Sequence, residues 1–106
     1  MVPSTTSFVE CVCSDVEGRV TRSYGGQRGS VVGQLNEPWH LAVDEDSQFI
    51  FVADWLNDRV VMLSPTLEFV RHISEGVSLP WHLCFHQTTR RLFVGRYGAS
   101  VTAIQL

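Results

Sequence analysis

Short apolar runs separated by turn residues cover the chain, and no stretch sustains a 3.6-residue period. The pattern predicts nine strands, near Ser7–Cys13, Arg19–Tyr24, Trp39–Asp44, Phe49–Asp54, Arg59–Leu63, Glu68–Ile73, Trp81–His86, Arg91–Arg96 and Val101–Gln105. The intervening segments carry turn chemistry: Asp15 to Gly18, Asp44-Glu45-Asp46-Ser47, Leu56-Asn57-Asp58, Ser64-Pro65-Thr66 and Gln87-Thr88-Thr89. Most are short enough to join antiparallel neighbours as hairpins. Within the strands, Phe49-Ile50-Phe51-Val52-Ala53 and Val60-Val61-Met62-Leu63 are continuously apolar rather than alternating. Strands of that kind are covered on both faces. The expected class is all-β, with small sheets packed face to face, as in the blades of a propeller. A two-sheet sandwich is the rival, but it would leave one face of each strand wet and so alternate.

The runs also repeat. Pro38-Trp39-His40-Leu41 returns as Pro80-Trp81-His82-Leu83, and Phe49–Trp55 aligns with Arg91–Tyr97. A period of roughly 40 residues means stacked copies of one supersecondary unit, none able to bury its apolar surface alone. With the strands of one unit lettered A to D from the inside out, the order along the chain reads C-D, A-B-C-D, A-B-C. Residues 1–37 then hold two outer strands and a glycine-rich link, 38–78 one complete four-stranded unit, and 79–106 a second, degenerate one. Two such units cannot close a ring, and an open stack leaves apolar faces and strand edges in water. Self-assembly is therefore expected. The strand at 19–24 is spare in this count and could complete the last unit of another copy, head to tail. Three chains would make six blades, although 7–13 and 101–105 then compete for one C place.

Composition narrows the functional classes. A net charge of −3 weighs against nucleic acid and anionic membrane as partners. The local groups Arg19, Arg22, Arg28 and Arg90, Arg91, Arg96 read as solvated strand edges. Cys11 and Cys13 are two apart on one strand face, awkward for a mutual disulfide, and Cys84 stands where the first copy has the small packing residue Ala42. Buried reduced thiols in a cytoplasmic protein are the expectation. No apolar run approaches the roughly 20 residues that span a bilayer.

Gly33 to Asp44, then Ile50-Phe51-Val52-Ala53-Asp54 and Asn57-Asp58-Arg59-Val60, closely resemble an NHL repeat. Residues 79–104 resemble a degraded second copy, with Arg96 in place of Asp54. The resemblance covers about residues 18–106 and implies a partial propeller. Oligomerisation to a six-bladed ring would complete it. Low-density-receptor-type and gluconolactonase-like propellers share the strand pattern but account less well for Asp54, Asn57 and Arg59. In the family such propellers often recognise protein or RNA substrates for tripartite-motif ubiquitin ligases. The mild acidity here favours protein.

The candidate site residues follow from the repeat. Asp54 ends one strand and Arg59 starts the next, so a carboxylate there can accept bonds from the turn amides of Asn57 or Asp58 and from the guanidinium, fixing the turn. With Arg96 in place of the acid, the matching turn should be looser. His40 and His82 occupy matched places at the start of the inner strand, a position for a metal such as zinc, or for an anion, on a ring axis. Neither copy supplies a nearby carboxylate network for a tuned ligand. Trp39 and Trp81 precede the histidines and suit packing between units or rimming the opening, whereas Trp55 and Tyr97 sit at loop tips and suit partner contact. His72 and His86 have no repeat partners. Cys11-Val12-Cys13 alone is a weak metal signal, and no nucleophile triad or phosphate loop is present. The expected function is a non-enzymatic interaction module with no required cofactor. The rivals are a lyase or hydrolase using axial histidines and zinc or calcium, and an RNA-binding propeller.

Overall fold

A computed structural model describes residues 2–7, 10–98 and 100–106. Ten strands and one 3-10 turn (Trp55–Asn57) make up its regular structure, with no α-helix among the described residues. They are β1 (Val2–Ser7), β2 (Glu10–Ser14), β3 (Val20–Gly25), β4 (Pro38–Val43), β5 (Ile50–Asp54), β6 (Arg59–Leu63), β7 (Phe69–Ile73), β8 (Pro80–His86), β9 (Arg91–Arg96) and β10 (Val101–Gln105). Three antiparallel sheets result, in the orders β1-β2-β3, β4-β5-β6-β7 and β8-β9-β10.

The middle sheet is covered on both sides, as its unbroken apolar strands require. All five residues of β5 are buried. Successive side chains of a strand point to opposite faces, so the two cores divide by parity. Ile50, Val52, Val61 and Leu63 pack with Cys11, Cys13, Tyr24 and Leu35 of the first sheet and its link. Phe51, Ala53 and Val60 pack with Leu83, Leu92 and Val94 of the third. Phe51 and Phe85 stack across that second core at 5.5 Å. Each such fully buried side chain stabilises the stack by about 1.5–3 kcal/mol. The chain is thus a three-layered pile rather than a two-sheet sandwich.

Two features depart from the sequence reading. The strand expected at 7–13 is two strands, because Val2–Ser7 pairs with Glu10–Ser14, Val2 opposite Ser14 and Ser7 opposite Glu10, with a register shift between Thr5 and Ser7. Val2-Pro3-Ser4-Thr5-Thr6-Ser7 carries almost no apolar signal, and Pro3 is tolerated because β1 is an edge strand. The strand expected at 19–24 forms as β3 and pairs with β2, the neighbour order the strand count gave it. Finally, Cys84 is exposed rather than packed, while Cys11 and Cys13 are buried and all three are free thiols. Cys84 matches Ala42 in the repeat, but the third sheet that covers Ala42 has no further sheet over its own outer face among the described residues. Burial, then the neighbouring Cys13 and Glu10, pushes the Cys11 thiol up to about 12, so it stays protonated and inert.

Candidate interaction surface

Two matched turns build the surface. Glu37 and Leu79 precede the prolines of β4 and β8, and both adopt left-handed backbone, φ 58° and 47°, without being glycine. Each turns its carbonyl to the residue after the second strand of its sheet: Trp55 N–H donates to Glu37 O at 3.3 Å and Tyr97 N–H to Leu79 O at 2.9 Å. Just downstream, the register of β4 with β5 slips between Pro38 and His40, and that of β8 with β9 between Pro80 and His82. Trp39 and Trp81 are the extra residues of these two bulges. A bulge re-aims its side chain.

Four aromatic rings consequently meet. Trp39 and Trp81 stack at 4.4 Å, Trp55 stands edge-on to Trp81 at 5.6 Å, and Tyr97 lies 5.0 Å from Trp81. Trp55 also touches Trp39, at 5.7 Å, and Tyr97, at 6.1 Å. Trp39 is 42% exposed and Tyr97 57% exposed, with Trp55 and Trp81 half-buried behind them. The Trp55 indole N–H is buried without a hydrogen-bond partner. Packing and exposure coexist in one cluster, so the sequence division between packing tryptophans (Trp39, Trp81) and loop-tip aromatics (Trp55, Tyr97) dissolves.

A buried polar network holds the first turn. The Asp54 carboxylate accepts from Arg59 Nε at 2.8 Å, from the Asn57 side-chain amide at 2.8 Å and from the Asn36 backbone N–H at 2.7 Å. Arg59 also donates to the carbonyls of Ser30 at 2.6 Å and Gln34 at 2.9 Å, and Asn57 to Gly29 O at 2.7 Å. The acid takes a side-chain amide and a distant backbone N–H in place of the turn amides expected from the sequence. Its reach is also longer than one hairpin, because it pins the glycine-rich link and hence the position of Glu37. A Cβ on Gly29 would run into the Gln34 side chain. In the third sheet Arg96 makes only 3.4 Å contacts to Ser78 and Ser100 hydroxyls, and its Nε is buried without a partner. Leu79 is held instead by Asp58, whose carboxylate accepts its N–H at 2.8 Å.

The histidines come together as a stack. The His40 and His82 rings lie 4.2 Å apart and 11° from parallel. His40 Nδ1 accepts the Leu83 backbone N–H at 3.0 Å. Parallel rings direct their in-plane lone pairs side by side, and one nitrogen of His40 is already engaged, so the pair does not converge on a common metal position. Among the described residues, no three His, Cys, Asp or Glu side chains group as metal ligands. Burial, then His82, lowers the proton affinity of His40 below the ordinary histidine range. His72 lies against Arg59, 3.4 Å from its guanidinium, and His86 bonds the Thr89 hydroxyl at 2.9 Å.

One structural site escaped the sequence reading. Arg90, expected at a solvated strand edge, donates to the buried Asp44 carboxylate at 2.6 Å and lies over the Phe85 ring at 5.1 Å. Gln87 donates to the same carboxylate and accepts the Glu45 N–H, both at 3.0 Å. The Arg90 guanidinium holds the Asp44 carboxyl well below the usual carboxylate range. These bonds join the second and third sheets across 46 residues of sequence, a distance no local pattern reveals. No helix among the described residues is long and apolar enough to cross a membrane. No protein-family model matches the chain, and no curated protein matches it.

Proposed function

We propose that this chain is a segment of an NHL-like β-propeller that acts as a non-enzymatic protein-interaction module, with the aromatic cluster as its contact surface. The carrying observation is the set Trp39, Trp55, Trp81 and Tyr97: four rings from two matched turns in one contiguous cluster, with Trp39 and Tyr97 substantially exposed. Rigid aromatics held on a fixed scaffold supply large contact area at low entropic cost, and they dominate the energetics of protein interfaces. The polar network beneath is spent on positioning rather than on chemistry, since Asp54, Asn57 and Arg59 saturate one another and the link carbonyls.

Stacking geometry supports the propeller reading. β4 lies against β8, and β1 lies against β4 as β5 lies against β8. By that equivalence β1 holds the second place in its sheet, so the strand order becomes B-C-D, A-B-C-D, A-B-C. The stacked histidines and the stacked tryptophans Trp39 and Trp81 repeat from sheet to sheet, as units related by one rotation require. A net charge of −3 keeps protein ahead of RNA as the partner.

Peptides selected from a random library against the folded chain test the reading. The expected ligands bind about tenfold or more weakly to Trp39→Ala and Tyr97→Ala, as truncation of an interface anchor does, while thermal unfolding of both variants stays cooperative. Ligands indifferent to both substitutions overturn it.

A further inference from the structure

The two cores between the sheets are built from matched positions but are not equally filled. Between the first and second sheets lies a hollow of about 230 Å³, lined by Pro3, Cys13, Val43, Gln48, Ile50 and Pro65. Register identifies the equivalent place between the second and third sheets. Cys11 pairs with Tyr24 and Cys13 with Arg22, as Val60 pairs with Ile73 and Met62 with Arg71. Both ladders shift register directly after Cys13 and Met62, so these two residues correspond. Pro3, opposite Cys13, then corresponds to Phe51, opposite Met62. The repeat matches Val43 to Phe85, Gln48 to Arg90 and Ile50 to Leu92.

The counterpart is packed with rings. Phe51 and Phe85 stack at 5.5 Å, Arg90 lies 5.1 Å over Phe85, and Met62 packs against the same core. At the hollow, Pro3, Val43 and Cys13 stand in place of Phe51, Phe85 and Met62. The volume that aromatic rings fill in one core therefore lacks them in the other. Interiors ordinarily close such space, because wall atoms without neighbours forfeit their dispersion contacts. The deficit comes from side-chain size between two sheets that are both present, not from an unpaired edge.

The lining has a simple chemistry. Pro3, Val43, Ile50 and Pro65 are apolar, and burial raises the Cys13 thiol, which keeps it uncharged. Gln48 is the exposed member and stands at the mouth. Its Nε2 donates to Glu45 O at 2.8 Å, which leaves Oε1 as the acceptor of that side chain. No charged side chain lines the hollow, so an ionic ligand would lose its hydration without gaining an ion pair.

We propose that this hollow is a binding site for a small uncharged aromatic molecule of the phenol class. The ring sits among Pro3, Cys13, Val43 and Ile50, in the place that the Phe85 ring takes in the other core, and the hydroxyl donates to Gln48 Oε1. Aliphatic-walled cavities of about 150 Å³ already take up benzene. Val43 and Ile50 lie at the opposite end of β4 and β5 from Trp39 and Trp55, so this site is independent of the aromatic surface.

The test is a titration of phenol into the intact chain with isotope-labelled valine and isoleucine methyl groups. Saturable shifts of the Val43 and Ile50 methyls are expected. Val43→Phe and Cys13→Met install the side chains of the filled core, and each should weaken binding about tenfold or more. Gln48→Met removes the acceptor, and should weaken phenol about three- to tenfold while leaving toluene unchanged. The methyl shifts are read on the unsubstituted chain, so they do not depend on the folding of any variant. Shifts that do not saturate, undiminished affinity in both filled variants, or equal effects of Gln48→Met on phenol and toluene would each overturn the proposal.

Discussion

At the scale of single residues, the most constrained group is His40. A backbone donor, Leu83 N–H, points at its Nδ1, so that nitrogen must keep its lone pair and the proton must sit on Nε2. Protonation would set two hydrogens against each other at 3.0 Å and place a cation 4.2 Å from the His82 ring, breaking a bond that joins the second and third sheets. Burial and then His82 accordingly depress His40 below its ordinary value of 6.5. The unfolded chain takes up this proton first as pH falls, so the contribution is complete above about pH 6.5 and is lost progressively below it. His72, depressed by burial and then by Arg59, acts with the same sign. His40→Asn keeps an acceptor near the Nδ1 position and does not titrate. Urea unfolding of this variant at about pH 5 and about pH 7.5 should show a smaller difference in stability than the parent chain, with the His72 share remaining. An undiminished difference would assign the acid sensitivity to other groups.

At the scale of elements, two acidic residues divide the polar work. Asp54 lies under Arg59, whose side chain is 7% exposed, whereas the partner of Asp44 is Arg90, whose side chain is 46% exposed. Removing one member of a buried pair strands the other, but a half-exposed guanidinium can turn to water. Asp54→Ala should therefore cost about 3–5 kcal/mol, and also free the 26–37 link that positions Trp39. Asp44→Ala should cost only about 1–2 kcal/mol. Denaturation midpoints of the two variants check the order, and equal losses would contradict the burial argument. These residues also mark where sequence was legible. Asp54 and Arg59 flank a hairpin, so their meeting is local and readable. Asn36, Gly29 and Ser30 reach the same network from a link with no periodicity, and Arg90 reaches Asp44 from another sheet, so neither contact has a local signature. The strands β4 to β10 were readable because their apolar runs are dense and bounded by turn residues. β1 was not, because an edge strand of threonine, serine and proline has no face that must be dry. The left-handed turns at Glu37 and Leu79 were equally hidden, since nothing in a glutamate or a leucine announces positive φ, and without them the aromatic cluster could not be assembled on paper.

At the scale of the molecule, one face of the third sheet is left uncovered among the described residues. Cys84, Phe93 and Val101 line one side of the third sheet around a shallow hollow, and they match Ala42, Phe51 and Val60, which the third sheet buries in the second. Val101 is exposed, while its counterpart Val60 is fully buried. What covers the equivalent face inside the chain is another sheet, so a further sheet is the natural cover here, and a second copy is one source of it. The sheet count alters the stoichiometry expected from strand counting. With β1 pairing as a strand, each chain carries three sheets, so two chains supply the six that three chains of two units were needed for. A ring of two chains leaves β3 in its own sheet, whereas the trimer built on a donated strand requires β3 to leave β2. Sedimentation should then report a mass near twice 11.9 kDa at micromolar concentration. Cys84→Asp, which puts a charge in the middle of the uncovered face at an already exposed position, should return the chain to monomer with its far-UV spectrum unchanged. A mass near three chains would favour strand exchange over face stacking. A folded parent chain that stays monomeric at every concentration would show that no copy of itself covers this face.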